Sequence, residues 1–293
     1  MAIPVHLDTD VGDDIDDAWC LAACVGHPEI ELIGVTTVLG DTELRAAQGR
    51  YLLELAGVKG VEVVAGTRDT LDRIVPITRN NQADILSRED EERLRKGRTD
   101  AIRFLVEQVQ NHPEMVLLHV GPVTNIGRFV LEFPEEFAKV KRIVAMVGHV
   151  MPERGGPEYN AAVDPRATAA VFAAGRPLIM IGLDVTLKCQ LTQGDLDAIR
   201  AKNTPLGNAI IRMTELWQAA HRRSPDQPPP MPIVHDPLAA LVVAEPDLVE
   251  LKPMHIEIDG HGRCIPTDGE PNVQVAVEVD AVRVRRRLVE VVG

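Results

Sequence analysis

This 293-residue sequence has no long apolar run, and it is poor in basic residues relative to acidic ones. No stretch of 18 apolar residues is present, so no membrane-spanning helix is predicted. Lys and Arg number 31 against 44 Asp and Glu, which gives a formal net charge of −13. A nucleic-acid groove needs clustered positive charge to displace counterions, so nucleic acid is not expected as a partner.

Aromatic residues and cysteines are also scarce. Aromatics make up only 3% of the chain, so the core must be built mainly from Val, Leu, Ile and Ala. The four cysteines form no CxxC pair, and Cys20 and Cys24 have the helical spacing typical of buried thiols. The chain does not open with a basic segment followed by an apolar one. We therefore expect a cytoplasmic protein in a reducing compartment.

Short apolar runs alternate with amphipathic stretches, the pattern of βαβ units. Strands are predicted at 3–7, 30–37, 61–65, 115–120, 143–147, 178–181, 254–258 and 273–279. Helices are predicted at 16–25, 42–56, 100–111, 165–174 and after Asp280. Segment 66–98 is predicted to be an irregular excursion, and Pro-rich 224–232 a loop that is either a connector or a flap near the site.

No linker or composition shift divides the chain. The sequence therefore predicts one domain, residues 1–293, of the α/β class. Strands with few polar breaks suit a mainly parallel, Rossmann-like central sheet flanked by helices on both faces.

The segment HLDTDVGDDIDDA holds six aspartates: Asp8, Asp10, Asp13, Asp14, Asp16 and Asp17. It lies between the first predicted strand and helix, and open α/β sheets bind ligands at the carboxyl ends of their strands. So many carboxylates repel one another unless a cation lies among them, because a helix N-terminus contributes only about 0.3–1 kcal/mol each. Ca²⁺ takes six to eight oxygen ligands and is the predicted cation, with Mg²⁺ or a solvated acidic turn as alternatives.

This acidic segment resembles the DTDxGxDxDDA signature of the inosine–uridine preferring nucleoside hydrolase family. Three further segments resemble family motifs in the same order: MVLLHVGPVTNIG, PEYNAAVDPRAT and PIVHDPLAAL. NVQVAVEVD is similar to the family's penultimate strand. The resemblance implies the nucleoside hydrolase fold and a calcium-dependent enzyme of purine or pyrimidine salvage. Its expected reaction is hydrolysis of the N-glycosidic bond of a ribonucleoside to ribose and free base.

The resemblance also implies a set of metal ligands: Asp10, Asp17, the backbone carbonyl of Val120, and Asp236. Asp10 is expected to be the general base that takes a proton from calcium-bound water. A glycosyl bond breaks through an oxocarbenium-like centre, which nearby carboxylates stabilise. The spacing of the motif leaves open which of Asp14, Asp16 and Asp17 binds the metal.

The implied substrate-binding residues are Asp14, Asp16, Asp41, Glu158, Asn160 and His235. Glu158 and Asn160 would face the same way if their segment is extended. His235 is expected to protonate or hydrogen-bond the leaving base, since histidine titrates near neutral pH. Asp41 follows Gly40 where the family often has Asn. The family's base-pocket segments are replaced here, which makes His149, Arg79 and Asn80 candidates for an altered pocket.

Two other interpretations remain open. LDTDV resembles the start of haloacid dehalogenase-type phosphohydrolases, which use Mg²⁺ and need a late Lys and a second acidic pair. A non-catalytic calcium- and ribosyl-binding protein would have the same fold without turnover. The expected substrate is a free nucleoside, because the site is acidic and no Gly-rich phosphate loop is present. The resemblance also implies a homodimer or homotetramer.

Overall fold

The computed structural model describes residues 2–151, 154–224 and 226–292. Its strands are β1 (Ile3–Thr9), β2 (Ile30–Thr37), β3 (Glu62–Ala65), β4 (Val116–His119), β5 (Arg142–Met146), β6 (Leu178–Ile181), β7 (Val249–Ile258), β8 (Cys264–Thr267) and β9 (Val273–Val279). Its helices are α1 (Asp16–Gly26), α2 (Thr42–Leu55), α3 (Arg88–Leu94), α4 (Ala101–Asn111), α5 (Thr124–Glu132), α6 (Pro134–Phe137), α7 (Tyr159–Val163), α8 (Pro165–Ala173), α9 (Leu183–Thr186), α10 (Gln193–Lys202), α11 (Pro205–His221), α12 (His235–Ala244) and α13 (Ala281–Val291). None of the helices within these ranges is long and apolar enough to cross a bilayer.

One nine-stranded sheet contains all of these strands, in the order β3-β2-β1-β4-β5-β6-β9-β7-β8. The strands from β3 to β9 in that order are parallel to their neighbours. β7 runs antiparallel to both β9 and β8. The chain builds outward from β1 in one direction and then from β4 in the other. The carboxyl ends of β1 and β4 therefore form the switch point at which open α/β sheets bind ligands.

Apolar layers cover both faces of the sheet. Adjacent residues of β4 point to opposite faces, so Leu118 packs in the layer that includes α1, α11 and α12, while Leu117 packs against α4, α5 and α8. α1 is buried from Asp16 to Cys24 and packs against α12. Trp19 of α1 also donates a hydrogen bond from Nε1 to the Thr214 hydroxyl at 3.2 Å. Burial on this scale holds the first turns of α1 and α12 side by side.

The predicted α/β fold with a mainly parallel sheet is confirmed. Most predicted strands and helices match the observed elements to within two residues, although the strand predicted at 254–258 begins at Val249. The prediction of an irregular 66–98 segment missed α3. Strand β8 and helices α5 to α7 and α9 to α12 were also not predicted. In the predicted 224–232 loop the described residues lie outside helices and strands, while Pro225 falls outside the described residues.

Candidate active site

A cavity of about 790 Å³ opens at the carboxyl ends of β1, β4, β5 and β6. Charged and polar residues form much of its wall: Asp10, Asp13, Asp14, Asp16, Asp17, Asn81, Arg154, Glu158, Tyr159, Asn160, His221, His235 and Asp236. The loop between β1 and α1 reaches the cavity through a turn at Gly12, whose φ is +128°. A side chain at Gly12 would also meet Asn80 and Gln48, so the loop depends on glycine here.

Three buried carboxylates converge on one side of this cavity. Asp16 and Asp17 lie on the first turn of α1, and Asp236 lies on the first turn of α12. One carboxylate oxygen from each lies within 4.8 Å of the others, and each residue is only 3% exposed. The Asp236 N–H donates to Asp16 Oδ2 at 3.2 Å. Asp17 Oδ1 accepts from the Asp10 N–H at 3.1 Å and from the Thr9 hydroxyl.

The electrostatics of this cluster call for a cation. Burial raises the pKa of Asp16, Asp17 and Asp236 well above the usual range, and the neighbouring carboxylates raise it further. Burial also raises the pKa of Asp10 to about 7, although the Arg45 guanidinium opposes this rise. A divalent cation among these oxygens would reverse the shifts, because it stabilises the charged form of each carboxyl. The donor set, oxygen only and acidic, therefore fits a hard cation such as Ca²⁺.

All but one of the residues predicted for metal and substrate binding line this cavity: Asp10, Asp14, Asp16, Asp17, Val120, Glu158, Asn160, His235 and Asp236. Asp14 differs from its neighbours because it is exposed, and its Oδ1 accepts the Ile15 N–H at 2.7 Å. Asp16 and Asp17 both belong to the converging cluster, whereas Asp14 does not. Of the three aspartates between which the motif spacing did not decide, Asp16 and Asp17 therefore have the geometry that a shared metal site needs.

Asp41, which was predicted to bind the substrate, does not line the cavity. Its carboxylate caps α2 by accepting the Leu44 N–H at 3.1 Å. It also accepts two hydrogen bonds from Arg95, at 2.8 and 2.6 Å. Through these contacts the Asp41 side chain links the start of α2 to the end of α3.

The three candidates for an altered pocket also lie elsewhere. Arg79 pairs with Glu91 at 2.7 Å, and His149 Nε2 lies 2.6 Å from the Gly156 carbonyl. Asn80 exchanges hydrogen bonds with Gln48 beneath the acidic loop. The neighbouring Asn81 lines the cavity instead, and its amide donates to the Asp13 carbonyl at 2.9 Å.

Glu158 and Asn160 reach the cavity from the start of a helix and not from an extended segment. Glu158 is the N-cap of α7, and its carboxylate accepts from the N–H groups of Gly148, Asn160 and Ala161 at 2.9, 2.6 and 3.0 Å. The Asn160 amide donates to the carbonyls of Val120 and Met146, at 2.7 and 3.1 Å. Asn160 therefore fixes the direction of the Val120 carbonyl.

His235 is the first residue of α12, directly before Asp236. Its Nδ1 lies 2.7 Å from the Thr186 hydroxyl. Burial and the nearby positive charge of Arg154 lower its pKa to about 4. The imidazole is therefore neutral at pH 7. When Nδ1 accepts the Thr186 hydroxyl proton, Nε2 carries the remaining proton and can donate it in a hydrogen bond.

Arg45 lies beside this site and was missed by the sequence analysis. It is only 4% exposed, and its guanidinium donates to the carbonyls of Leu39 and Val11 at 2.7 and 3.1 Å. It also donates to the Asp10 carbonyl and, at 2.5 Å, to the Asp13 carboxylate. The acidic loop was the signal in the sequence that could have pointed to Arg45. Six neighbouring carboxylates require a positively charged side chain nearby as well as a bound metal ion.

The chain matches one known protein family over almost its whole length. The sequence model described as inosine-uridine preferring nucleoside hydrolase matches residues 5–286. The chain belongs to this family. The predicted resemblance and enzyme class are thus confirmed, so the protein is a hydrolase acting on N-glycosyl bonds. The alternative of a haloacid dehalogenase-type phosphohydrolase is wrong.

Relatives within the nucleoside hydrolase family extend over nearly the whole chain. The chain is 29% identical to the inosine-uridine preferring nucleoside hydrolase of Leishmania major, over 94% of this chain and 93% of that protein. It is 28% identical to uridine nucleosidase 1 of Arabidopsis thaliana, over 88% of this chain and 79% of that protein. The structure matches the purine-preferring ribonucleoside hydrolase from Gardnerella vaginalis with a TM-score of 0.84 at 27% identity, covering 99% and 98% of the two chains.

Proposed function

We propose that this nucleoside hydrolase uses Ca²⁺ to hydrolyse the N-glycosidic bond of a free ribonucleoside to ribose and base. The observation that carries the proposal is the buried cluster of Asp16, Asp17 and Asp236 in the same cavity as Asp10. Asp10, Asp17, Asp236 and the Val120 carbonyl are the proposed ligands. Asp16 Oδ2 is already engaged by the Asp236 N–H, which leaves its other oxygen for a ribose hydroxyl. When bound, the cation supplies a positive charge that orients hydroxyl groups and makes water a better nucleophile.

The ribose is proposed to bind between the cluster and α7. A carboxylate has about four acceptor positions, and backbone N–H groups occupy three of those on Glu158. The remaining position can accept one ribose hydroxyl. Both amide protons of Asn160 are directed to carbonyls, so its Oδ1 is the atom left to accept a hydroxyl proton. Asp14, which is exposed at the cavity, is proposed to contact the substrate farther from the cluster.

Asp10 is assigned to act on the attacking water, and His235 on the departing base. Asp10 accepts a proton from the attacking water, a role open to a carboxylate that lines the cavity beside the proposed cation site. The surrounding carboxylates stabilise the oxocarbenium-like sugar as the bond to the base breaks. His235 donates a hydrogen bond from its neutral ring to the departing base, and thereby stabilises the electron pair left on the base nitrogen. Solvent then protonates that nitrogen and takes up the proton from Asp10, which returns the carboxylate to its starting state.

The remaining expectations accompany this proposal. Residues 1–293 would act as one domain within a cytoplasmic homodimer or homotetramer that serves nucleoside salvage. The relatives carry names with different base preferences: uridine, inosine and uridine, and purines. We therefore propose a ribonucleoside as the substrate class without assigning the base.

A product assay across ribonucleosides tests the proposed function. The protein is incubated in calcium with uridine, cytidine, inosine, adenosine and guanosine, and ribose and free base are both quantified. We expect equal amounts of ribose and base from at least one nucleoside. If the folded, calcium-bound protein binds nucleosides but releases neither product, the protein is a non-catalytic calcium- and ribosyl-binding protein instead.

A further inference from the structure

Asp8 is a fully buried carboxylate that the proposed reaction does not use. It lies on β1 two residues before Asp10 and does not line the cavity. Three side chains donate to it: the Thr36 hydroxyl at 2.5 Å, the Asn125 amide at 2.7 Å and His119 Nδ1 at 3.2 Å. The described residues include no Lys or Arg within 4 Å of Asp8, so neutral donors and His119 hold its charge.

The donors to Asp8 come from three separate elements of the fold. Thr36 lies on β2 and His119 on β4, and both are register partners of Asp8 in the sheet. Asn125 lies in the first turn of α5, where its amide also donates to the Thr37 carbonyl at 3.0 Å and accepts the Thr67 N–H at 2.9 Å. Asp8 therefore joins the carboxyl ends of β2, β1 and β4 to the start of α5.

This junction lies next to the segments that carry two of the proposed metal ligands. The Asp8 carbonyl accepts the Val120 N–H at 2.9 Å, so the strand ends that present Asp10 and the Val120 carbonyl are tied together at Asp8. Burying a charge is unfavourable compared with burying an apolar residue of similar size. A buried carboxylate with three hydrogen-bond donors at this position is therefore better explained by the arrangement of the strand ends that it bonds to than by a gain in folding stability.

We propose that Asp8 is a positioning residue that sets the cation affinity of the site through its bonds to Thr36, His119 and Asn125, without contacting the cation or the substrate. This inference rests on the proposed function only for the location of the cation. Partners that orient metal ligands in this indirect way change metal affinity by about 10–100-fold when they are removed.

Two substitutions separate the geometry from the charge. Asp8→Asn removes the charge and one acceptor position but preserves the shape of the side chain. His119 Nε2 has no partner among the described residues, so the ring can move its proton there and accept from the new amide. Asn125→Ala removes a donor to Asp8 without changing any charge. Asp164→Asn is the matched control, because Asp164 is 2% exposed, accepts from Thr124, Leu71 and Ala167, and does not line the cavity.

The experiment measures the calcium dissociation constant of each chelator-stripped protein by calorimetry, with circular dichroism and melting temperature as checks of folding. We expect Asp8→Asn and Asn125→Ala each to weaken calcium binding about 10–100-fold. Their combined effect should be less than the product of the two, because they break the same network. Asp164→Asn should lower the melting temperature and keep the wild-type dissociation constant.

Three results would overturn the inference. The first is wild-type calcium affinity in Asp8→Asn, and the second is an equal loss of affinity in Asp164→Asn. The third is a loss in Asp8→Asn with none in Asn125→Ala, which would mean that the charge of Asp8 acts rather than its bonds. Wild-type protein that binds no calcium would overturn the proposed cation site as well, so the two failures are distinguishable.

Discussion

Asp10 carries the largest share of the proposed chemistry at the scale of single residues. Replacement by Asn preserves its shape but removes the base, so we expect kcat for ribose release to fall about 10²–10⁴-fold. The fold should remain, because one of several mutually repelling buried carboxylates becomes neutral. Asp13→Asn is the matched control: Asp13 lies in the same loop, but it is exposed and paired with Arg45. Similar kinetics for Asp10→Asn and wild type would remove the proposed base.

His6 gives the fold a pH dependence that one substitution can isolate. Burial lowers the pKa of His6 from 6.5 to about 4, and its Nε2 lies 3.1 Å from the Thr36 hydroxyl. Between pH 6.5 and pH 4 the His6 imidazole is therefore protonated in the unfolded chain but neutral in the folded protein. Stability is lost as the pH falls through this range. Without added calcium, we expect wild type to lose about 3 kcal/mol more unfolding free energy over this window than His6→Gln.

Urea unfolding at several pH values measures this difference. His261→Gln, at an exposed histidine, is the control, and its unfolding free energy should depend on pH as that of wild type does. Parallel curves for wild type and His6→Gln would mean that His6 is not buried in its neutral form.

At the scale of secondary structure, the turn after β4 packs closely against the loop after β1. A Cβ added at Gly121 would lie 2.9 Å from both the backbone nitrogen and Oδ1 of Asp10, so either Asp10 or the turn at Gly121 must shift. Because small misplacements of reacting groups are expensive, we expect Gly121→Ala to lower kcat about 10–100-fold. Gly194→Ala on α10 is the control, since its Cβ would make only an ordinary contact at 3.6 Å. Equal activity in both variants would contradict the close packing around Asp10.

The elements that the sequence predicted well are the buried parallel strands and the helices next to them. Such strands read as short apolar runs because both of their faces are covered. The short helix α7 was not predicted, because its five residues have no period of their own and depend on the Glu158 cap. The site residues within contiguous motifs were found for a similar reason: Asp10, Asp16 and Asp17 are close in sequence. The contacts of Asp41 and Arg45 could not be predicted, because their partners depend on how distant segments fold together.

At the scale of the whole molecule, one sheet brings distant segments of the chain to a single cavity. The acidic loop, Val120, the start of α7 and the start of α12 all meet beside the switch point of the sheet. The chain belongs to the inosine-uridine preferring nucleoside hydrolase family from residue 5 to 286, so this arrangement serves hydrolysis of N-glycosyl bonds. The central claim of the account is that Ca²⁺ bound at this meeting point is required for the reaction.

Ribose release before and after metal removal tests this claim most directly. The protein is stripped with a chelator, assayed on its best nucleoside, and assayed again after calcium is added in excess of the chelator. The account predicts loss of activity on stripping, recovery with calcium in wild type, and no recovery in Asp236→Asn, which lacks one of the proposed ligands. Full ribose release by protein shown to contain no metal would contradict the account.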